Sequence, residues 1–275
     1  MNIAKYIKGE RLMTIENLGM NYGPKTIFRD INLKIDNITR PEMKQGQVVS
    51  LLGPSGIGKT QFFRCISALQ RQTTGSVIIE MGDGAIQKQT SVQSGDIGVV
   101  FQNYPLLKHR TIIGNLMLAA KKGGHALDEV YKYLEQFELA DKANLYPIQL
   151  SGGQRQRVAI IQQLLCSSYF LLMDEPFSGL DIIMKQTVCD VIQKVTSVHE
   201  KNTIIITTHD IETAVAISDT IWVMGYEHDK GDQIHGSTII KEIDLIERDL
   251  SWHADIQHQA NFFPTVLEIK SLFRN

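Results

Sequence analysis

Gly53-Pro54-Ser55-Gly56-Ile57-Gly58-Lys59-Thr60 is the stretch on which the reading of this chain turns. An apolar run, Val48-Val49-Ser50-Leu51-Leu52, precedes it, and Gln61-Phe62-Phe63-Arg64-Cys65-Ile66 follows with helical character. Strand, glycine-rich loop and helix in that order are the setting of a phosphate-binding P-loop. A triphosphate is wrapped by backbone N–H groups, and a chain curls that tightly only where glycine tolerates positive φ and close approach. Lys59 adds a point charge for the β- and γ-phosphates. The Thr60 hydroxyl is placed to ligate magnesium, and the new helix turns its positive end toward the anion.

Downstream, Tyr169-Phe170-Leu171-Leu172-Met173-Asp174-Glu175 is a continuous apolar run ending in two acids. That is the pattern of a central parallel strand with chemistry at its carboxyl end, where successive side chains point in opposite directions and two acids can divide the work. Thr203-Ile204-Ile205-Ile206-Thr207-Thr208 is a second buried strand, ending at His209-Asp210. Helical periodicity over residues 111–139, 151–165 and 182–199 separates these strands, which predicts an α/β core. In Leu150-Ser151-Gly152-Gly153-Gln154-Arg155-Gln156-Arg157, Ser151 is a natural N-cap, and both glycines leave the first N–H groups open to an outside anion.

Upstream, residues 12–18 and 31–35 alternate apolar and polar side chains, as half-buried antiparallel strands do. Between them lies a turn, Asn21-Tyr22-Gly23-Pro24. Packing would account for Tyr22 by itself; beside a P-loop its ring also offers a nucleotide base a surface to stack on. Residues 36–45 are polar, contain Pro41 and read as a surface excursion. Residues 75–80 form another strand before the hairpin chemistry of Met81-Gly82-Asp83-Gly84. Ile97-Gly98-Val99-Val100-Phe101 is a short apolar run ending in Gln102. A strand at 220–224, an alternating stretch over 236–243 and a terminal helix over 262–273 complete the chain.

At 275 residues the chain can bury a substantial core, as one large domain or as one domain with subdomains. A formal charge of −2 gives no basic surface for nucleic acid. Cys65, Cys166 and Cys189 are far apart and lack metal-ligand spacing, so reduced, packed thiols of a cytosolic protein are expected. The first ten residues lack the apolar core of a secretory signal. No run of about eighteen apolar residues is present to span a bilayer.

The P-loop, Leu150-Ser151-Gly152-Gly153-Gln154, the strand ending Asp174-Glu175, Ser178-Gly179-Leu180-Asp181 and His209 stand in one order. Together they resemble the nucleotide-binding subunit of an ATP-binding cassette (ABC) transporter over roughly residues 12–224. The resemblance implies an α/β fold, a P-loop NTPase (RecA-like) core with an antiparallel β subdomain and an inserted α-helical subdomain. It places an ATP-binding domain at 12–248, its helical subdomain at about 103–165, and a C-terminal helical tail at 249–275. It also implies roles. Tyr22 stacks on adenine, residues 53–61 hold the phosphates of ATP, and Thr60, Gln102 and Asp174 serve magnesium. Glu175 is the general base, His209 contacts the γ-phosphate and orients that base, and Gln102 senses metal and water. Ser151, Gly153 and Gln154 close on ATP held by a second copy of the chain, and Asp181 links the two sites.

Phosphoryl transfer needs mainly positioning and charge neutralisation, which this set of residues supplies. The resemblance further implies an integral membrane permease docking near residues 102–115, where Leu106, Leu107, Ile112 and Ile113 serve either that contact or ordinary packing of the subdomain. With it go a substrate-binding protein, no nucleic acid, and a peripheral place on the cytoplasmic face of the membrane. Ile221-Trp222-Val223-Met224 and the segments 236–243 and 263–269 loosely resemble the nitrate, sulfonate and taurine importers. Two alternatives are a soluble ABC-type ATPase acting on a non-transport partner and a nucleotide-binding scaffold without turnover. The first lacks its usual marks of paired cassettes, zinc cysteines, coiled coil or basic linker. The presence of Glu175, Gln102 and His209 argues against the second. Two residues depart from the family pattern: Ile57, where the backbone does most of the work, and Gln61, which forgoes a hydroxyl contact to the α-phosphate at an expected modest loss of affinity.

Overall fold

The computed structural model describes residues 6–40, 45–81, 88–101, 104–166, 169–229, 232–252 and 255–273. The first half contains β1 (Ile7–Tyr22), β2 (Lys25–Thr39), β3 (Gln47–Leu52), α1 (Lys59–Ile66), β4 (Thr74–Met81), β5 (Lys88–Ser91), β6 (Gly98–Val100), α2 (Ile112–Gly123) and α3 (Leu127–Gln136). The second half contains α4 (Gly152–Leu164), β7 (Phe170–Asp174), α5 (Ile182–Val198), β8 (Thr203–Thr208), α6 (Ile211–Ile217), β9 (Thr220–Gly225), the small hairpin β10 (His228–Asp229) and β11 (Asp232–Gln233), β12 (Thr238–Asp244) and α7 (Phe262–Leu272).

The central sheet has the order β12-β9-β3-β8-β7-β6, parallel except for β12 against β9. Every residue of β3 and β8 is buried, because helices cover one face and a second sheet the other. Val48, Leu171, Met173, Ile204 and Ile206 pack with α4, α5 and the helical region; Val49, Leu51, Leu172 and Ile205 pack with Phe62, Phe63 and the second sheet. That second sheet, β2-β1-β4-β5, is antiparallel throughout. The α/β core, antiparallel β region and inserted helices therefore take the arrangement the resemblance implies.

Two local readings change. Residues 36–39 are not an excursion: Asp36 pairs with Arg11 and Thr39 with Ile7, so β2 simply continues, and Ile38 is buried. Asn37, a polar residue, is buried next to Ile38, so the apolar–polar alternation breaks there and the sequence does not show the strand going on. The helical run 111–139 is divided by Gly124, whose φ of +79° caps α2 before α3 begins. The hairpin turn after Met81 lies outside the described residues, although the pairing of Met81 with Lys88 closes a hairpin there.

The tail is packed against the core. Phe262, Val266 and Ile269 of α7 are buried with Ala214 and Val215 of α6 and Ile221 and Val223 of β9. Arg248 donates twice to Glu268 at 2.6 and 3.2 Å, and the guanidinium holds that carboxyl below the usual range. Asp219, fully buried, accepts from Val48 N and Trp252 Nε1, each at 2.8 Å, and from Arg40. Among the described residues, no helix is long and apolar enough to cross a membrane.

Candidate functional site

The carboxyl ends of β3, β7 and β8 are neighbours in the sheet, so the three segments that leave them converge. After β3 the loop turns on Gly56 (φ +81°) and Gly58 (φ +116°), conformations that side chains resist. A Cβ on Gly53 would stand 3.0 Å from both Met224 O and Ile57 Cγ2. The loop is pinned from behind. Ser237 Oγ donates to Ile57 O at 2.7 Å, and the Ile57 side chain is buried in the core rather than turned outward. The departure at position 57 is thus a packing choice.

Lys59 is buried at the start of α1, with Nζ donating to Gly53 O at 2.7 Å and Pro54 O at 3.2 Å and lying 3.4 Å from Glu175 Oε1. Burying an ammonium without partners would be costly, so two carbonyls and a carboxylate hold it here. Glu175 has φ +49°, an unusual conformation for a non-glycine residue, and its N–H donates to Thr207 O at 3.0 Å. Its other oxygen, Oε2, is 2.9 Å from His209 Nδ1. Asp174, one residue earlier, faces elsewhere: it accepts from the Thr207 hydroxyl and, at 3.4 Å, from Thr60 Oγ1. The two acids do divide, one beside lysine and histidine, the other between two hydroxyls. Hard oxygens on Thr60 and Asp174 are a donor set suited to a hard divalent cation.

His209 is positioned by its neighbour. Asp210 caps α6 by accepting from Thr213 N at 3.1 Å and pairs with Lys185 of α5. Burial pushes its carboxyl up, but the Lys185 ammonium and Thr213 outweigh this and hold it below the usual range. On the other side of the loop, Tyr22 Oη donates to Gln61 Oε1 at 3.0 Å.

Residues 37–178 match the ABC transporter family. The glutamine transport ATP-binding protein GlnQ of Bacillus subtilis is 36% identical over 217 residues, 76% of this chain and 85% of that protein. The sulfate/thiosulfate import ATP-binding protein CysA of Synechocystis is 34% identical over 268 residues, 90% of this chain and 71% of that protein. The chain belongs to the ABC transporter ATP-binding subunits. A solved structure, cbiO1 from Clostridium perfringens, part of the ABC transporter complex cbiONQ, has the same fold at a TM-score of 0.66 and 22% identity, covering 87% of this chain and 91% of that one. As an ABC subunit the chain binds ATP and is an ATPase.

Other cassette residues stand apart from this cluster. Ser151 caps α4 by accepting from Gln154 N at 3.2 Å, while Gln154 Oε1 accepts from Ser151 N at 2.9 Å. No described bond joins Ser151, Gly153 or Gln154 to the P-loop. Asp181 caps α5 through Met184 N at 2.8 Å, and the adjoining Ile182 and Ile183 are 86% and 78% exposed. Gln102 lies outside the described residues. Of the four apolar residues near the expected permease contact, Ile112 is buried in the core, Leu106 and Ile113 are partly packed, and Leu107 remains exposed, as do Phe101 and Leu118. Three supporting residues escape sequence reading: Thr207 under Asp174, Ser237 behind the P-loop, and buried Asn115, which clamps residues 107–111 by bonding Leu107 N and O, Arg110 O and Thr111 O. A buried polar residue in a helical apolar stripe was the available signal for Asn115. The other two carry none.

Proposed function

We propose that this cassette drives import by closing on ATP with a second copy of itself and hydrolysing it, coupled to a separate integral membrane permease at the cytoplasmic face of the membrane. The observation that carries the chemical part is the run Lys59, Glu175, His209 beside Thr60 and Asp174. Lys59 would exchange its carbonyl and carboxylate partners for the β- and γ-phosphates, freeing Glu175 to take a proton from the attacking water. His209, bonded to Glu175, orients that carboxylate and reaches the γ-phosphate, and Tyr22 offers its ring to adenine. Residues 53–61 supply backbone donors at the helix N-terminus. Magnesium, held by Thr60 and Asp174 and, as the resemblance implies, served by Gln102, would neutralise charge building on the phosphates. Residues 12–248 form the ATP-binding domain, with the helical subdomain at about 103–165 and the tail at 249–275.

Dimer closure is supported by two glycines with no internal reason to be glycine. A Cβ on Gly152 would meet nothing within 4 Å, and one on Gly153 only Met184 Cε at 3.8 Å. Glycine in a helix costs about 1 kcal/mol against alanine. Keeping two in the first turn of α4 makes sense where an outside phosphate must come close to Ser151, Gly153 and Gln154. Import follows the sulfate/thiosulfate relative, and a substrate-binding protein would then deliver the solute. Light scattering on Glu175→Gln tests the assembly: ATP should convert monomer to dimer. A Glu175→Gln protein that stays monomeric with ATP bound would contradict it.

A further inference from the structure

Position 61 carries glutamine, and the structure gives that side chain a partner of its own. Tyr22 Oη donates to Gln61 Oε1 at 3.0 Å and accepts from Gln70 Nε2 at 2.5 Å. A phenol has one proton to give and lone pairs to offer, and both capacities are used here. Each amide is held in turn. Gln61 sits in the first turn of α1, two residues beyond Lys59. Gln70 is brought back by the helix end, where Leu69 N and Gln70 N both donate to Arg64 O at 2.9 and 3.0 Å after Ala68 adopts φ +53°. Asn21 N donates to Thr73 Oγ1 at 2.9 Å and Thr73 N to Gly19 O at 2.8 Å, so the end of β1 is tied to the same segment. Tyr22 nevertheless leaves 47% of its surface exposed.

An aromatic at a hairpin tip ordinarily samples several rotamers and loses that freedom when it stacks on a ligand. Tyr22 is already fixed through its hydroxyl, with ring surface still accessible. We infer that Gln61 and Gln70 are positioning residues that hold Tyr22 as a preset platform for the nucleotide base. They join base recognition to the helix whose first turn carries Lys59 and Thr60. The inference rests on the proposed roles of Tyr22 and the P-loop. It also explains the departure at 61: a hydroxyl contact at the α-phosphate is given up for order at the base.

Dissociation constants for ATP and for inorganic tripolyphosphate, measured by competition with a fluorescent ATP analogue, separate base from phosphate. Gln61→Ala, Gln70→Ala and Tyr22→Phe should each weaken ATP binding about three- to tenfold, the span expected for losing a net hydrogen bond, and leave tripolyphosphate within about twofold. For Gln70→Ala, since Gln70 is not among the residues proposed to touch ATP directly, KM for ATP should rise in step while kcat holds. Because Tyr22→Phe already cuts the bond to Gln61, the double variant Gln61→Ala/Tyr22→Phe should bind no more weakly than Tyr22→Phe. Unchanged ATP affinity, an equal loss for tripolyphosphate, or a multiplicative double variant overturns the inference. Lys59→Ala should weaken both ligands. If it weakens neither, the phosphate site itself is misplaced and the inference falls with it, whereas a flat glutamine series beside a responsive Lys59 defeats the inference alone.

Discussion

At the scale of single residues, electrostatics and burial decide what each side chain can do. Lys59 and Glu175 are legible in the sequence because a P-loop lysine and a strand-end acid follow from residue type and position. Thr207 is not, since a threonine closing an apolar strand looks the same whether or not its hydroxyl meets Asp174. The glutamine at 61 was legible as a departure, and its bond to Tyr22 was not, because 39 positions of chain separate them. Burial also sets the thiols. The Cys65 thiol is pushed up to about 11 by desolvation, and Cys189 to about 12. A folded thiol that keeps its proton to higher pH than the unfolded one favours the folded state fully below pH 9, and that advantage is lost as pH rises toward 11. For Cys65 this amounts to something on the order of 2 kcal/mol. Urea midpoints should therefore fall between pH 8.5 and pH 10.5 less steeply in Cys65→Ala than in wild type, comparing slopes rather than absolute stability. Parallel slopes would mean that the thiol is not so perturbed.

At the scale of elements, patterns with one buried face were readable and those governed by partners were not. β3, β7 and β8 are continuous apolar runs buried on both faces, so their positions follow from composition. Residues 36–39 look like loop because their partners lie back at Ile7–Arg11, a pairing no local window contains. In the segment before α2, Ile112 was offered as a contact and is core, because Thr111 caps the helix by accepting from Gly114 N at 3.2 Å and turns Ile112 inward. What remains outward is Leu107, on a loop that Asn115 makes rigid. Leu107→Glu should leave ATPase activity of the isolated subunit within about twofold of wild type, as surface substitutions usually do. In the assembled transporter it should reduce transport much more than hydrolysis, read as solute moved per ATP consumed. Equal losses of transport and hydrolysis would show that Leu107 does not face the permease.

At the scale of the whole molecule, two covered faces of one sheet place the phosphate loop, the two acids and the histidine at a common edge, while Ser151 is exposed and Gly153 and Gln154 are half-buried apart from them. Order of the motifs along the chain made the family legible, although it is not their order in space: the sheet runs β3-β8-β7, so the strand leading to His209 lies between the P-loop strand and the strand ending at Asp174. Their separation in space was not legible, since it depends on how α4 and α5 stack. In the proposed function each ATP site combines the Lys59 side of one copy with the Ser151 side of another, and its chemistry would depend on Glu175 acting on water next to a Lys59-held phosphate. Phosphate release by wild type and by Glu175→Gln, at ATP concentrations that saturate both, tests this most directly. The account predicts a fall on the order of a hundredfold with ATP still bound; a variant that releases phosphate at the wild-type rate would contradict it.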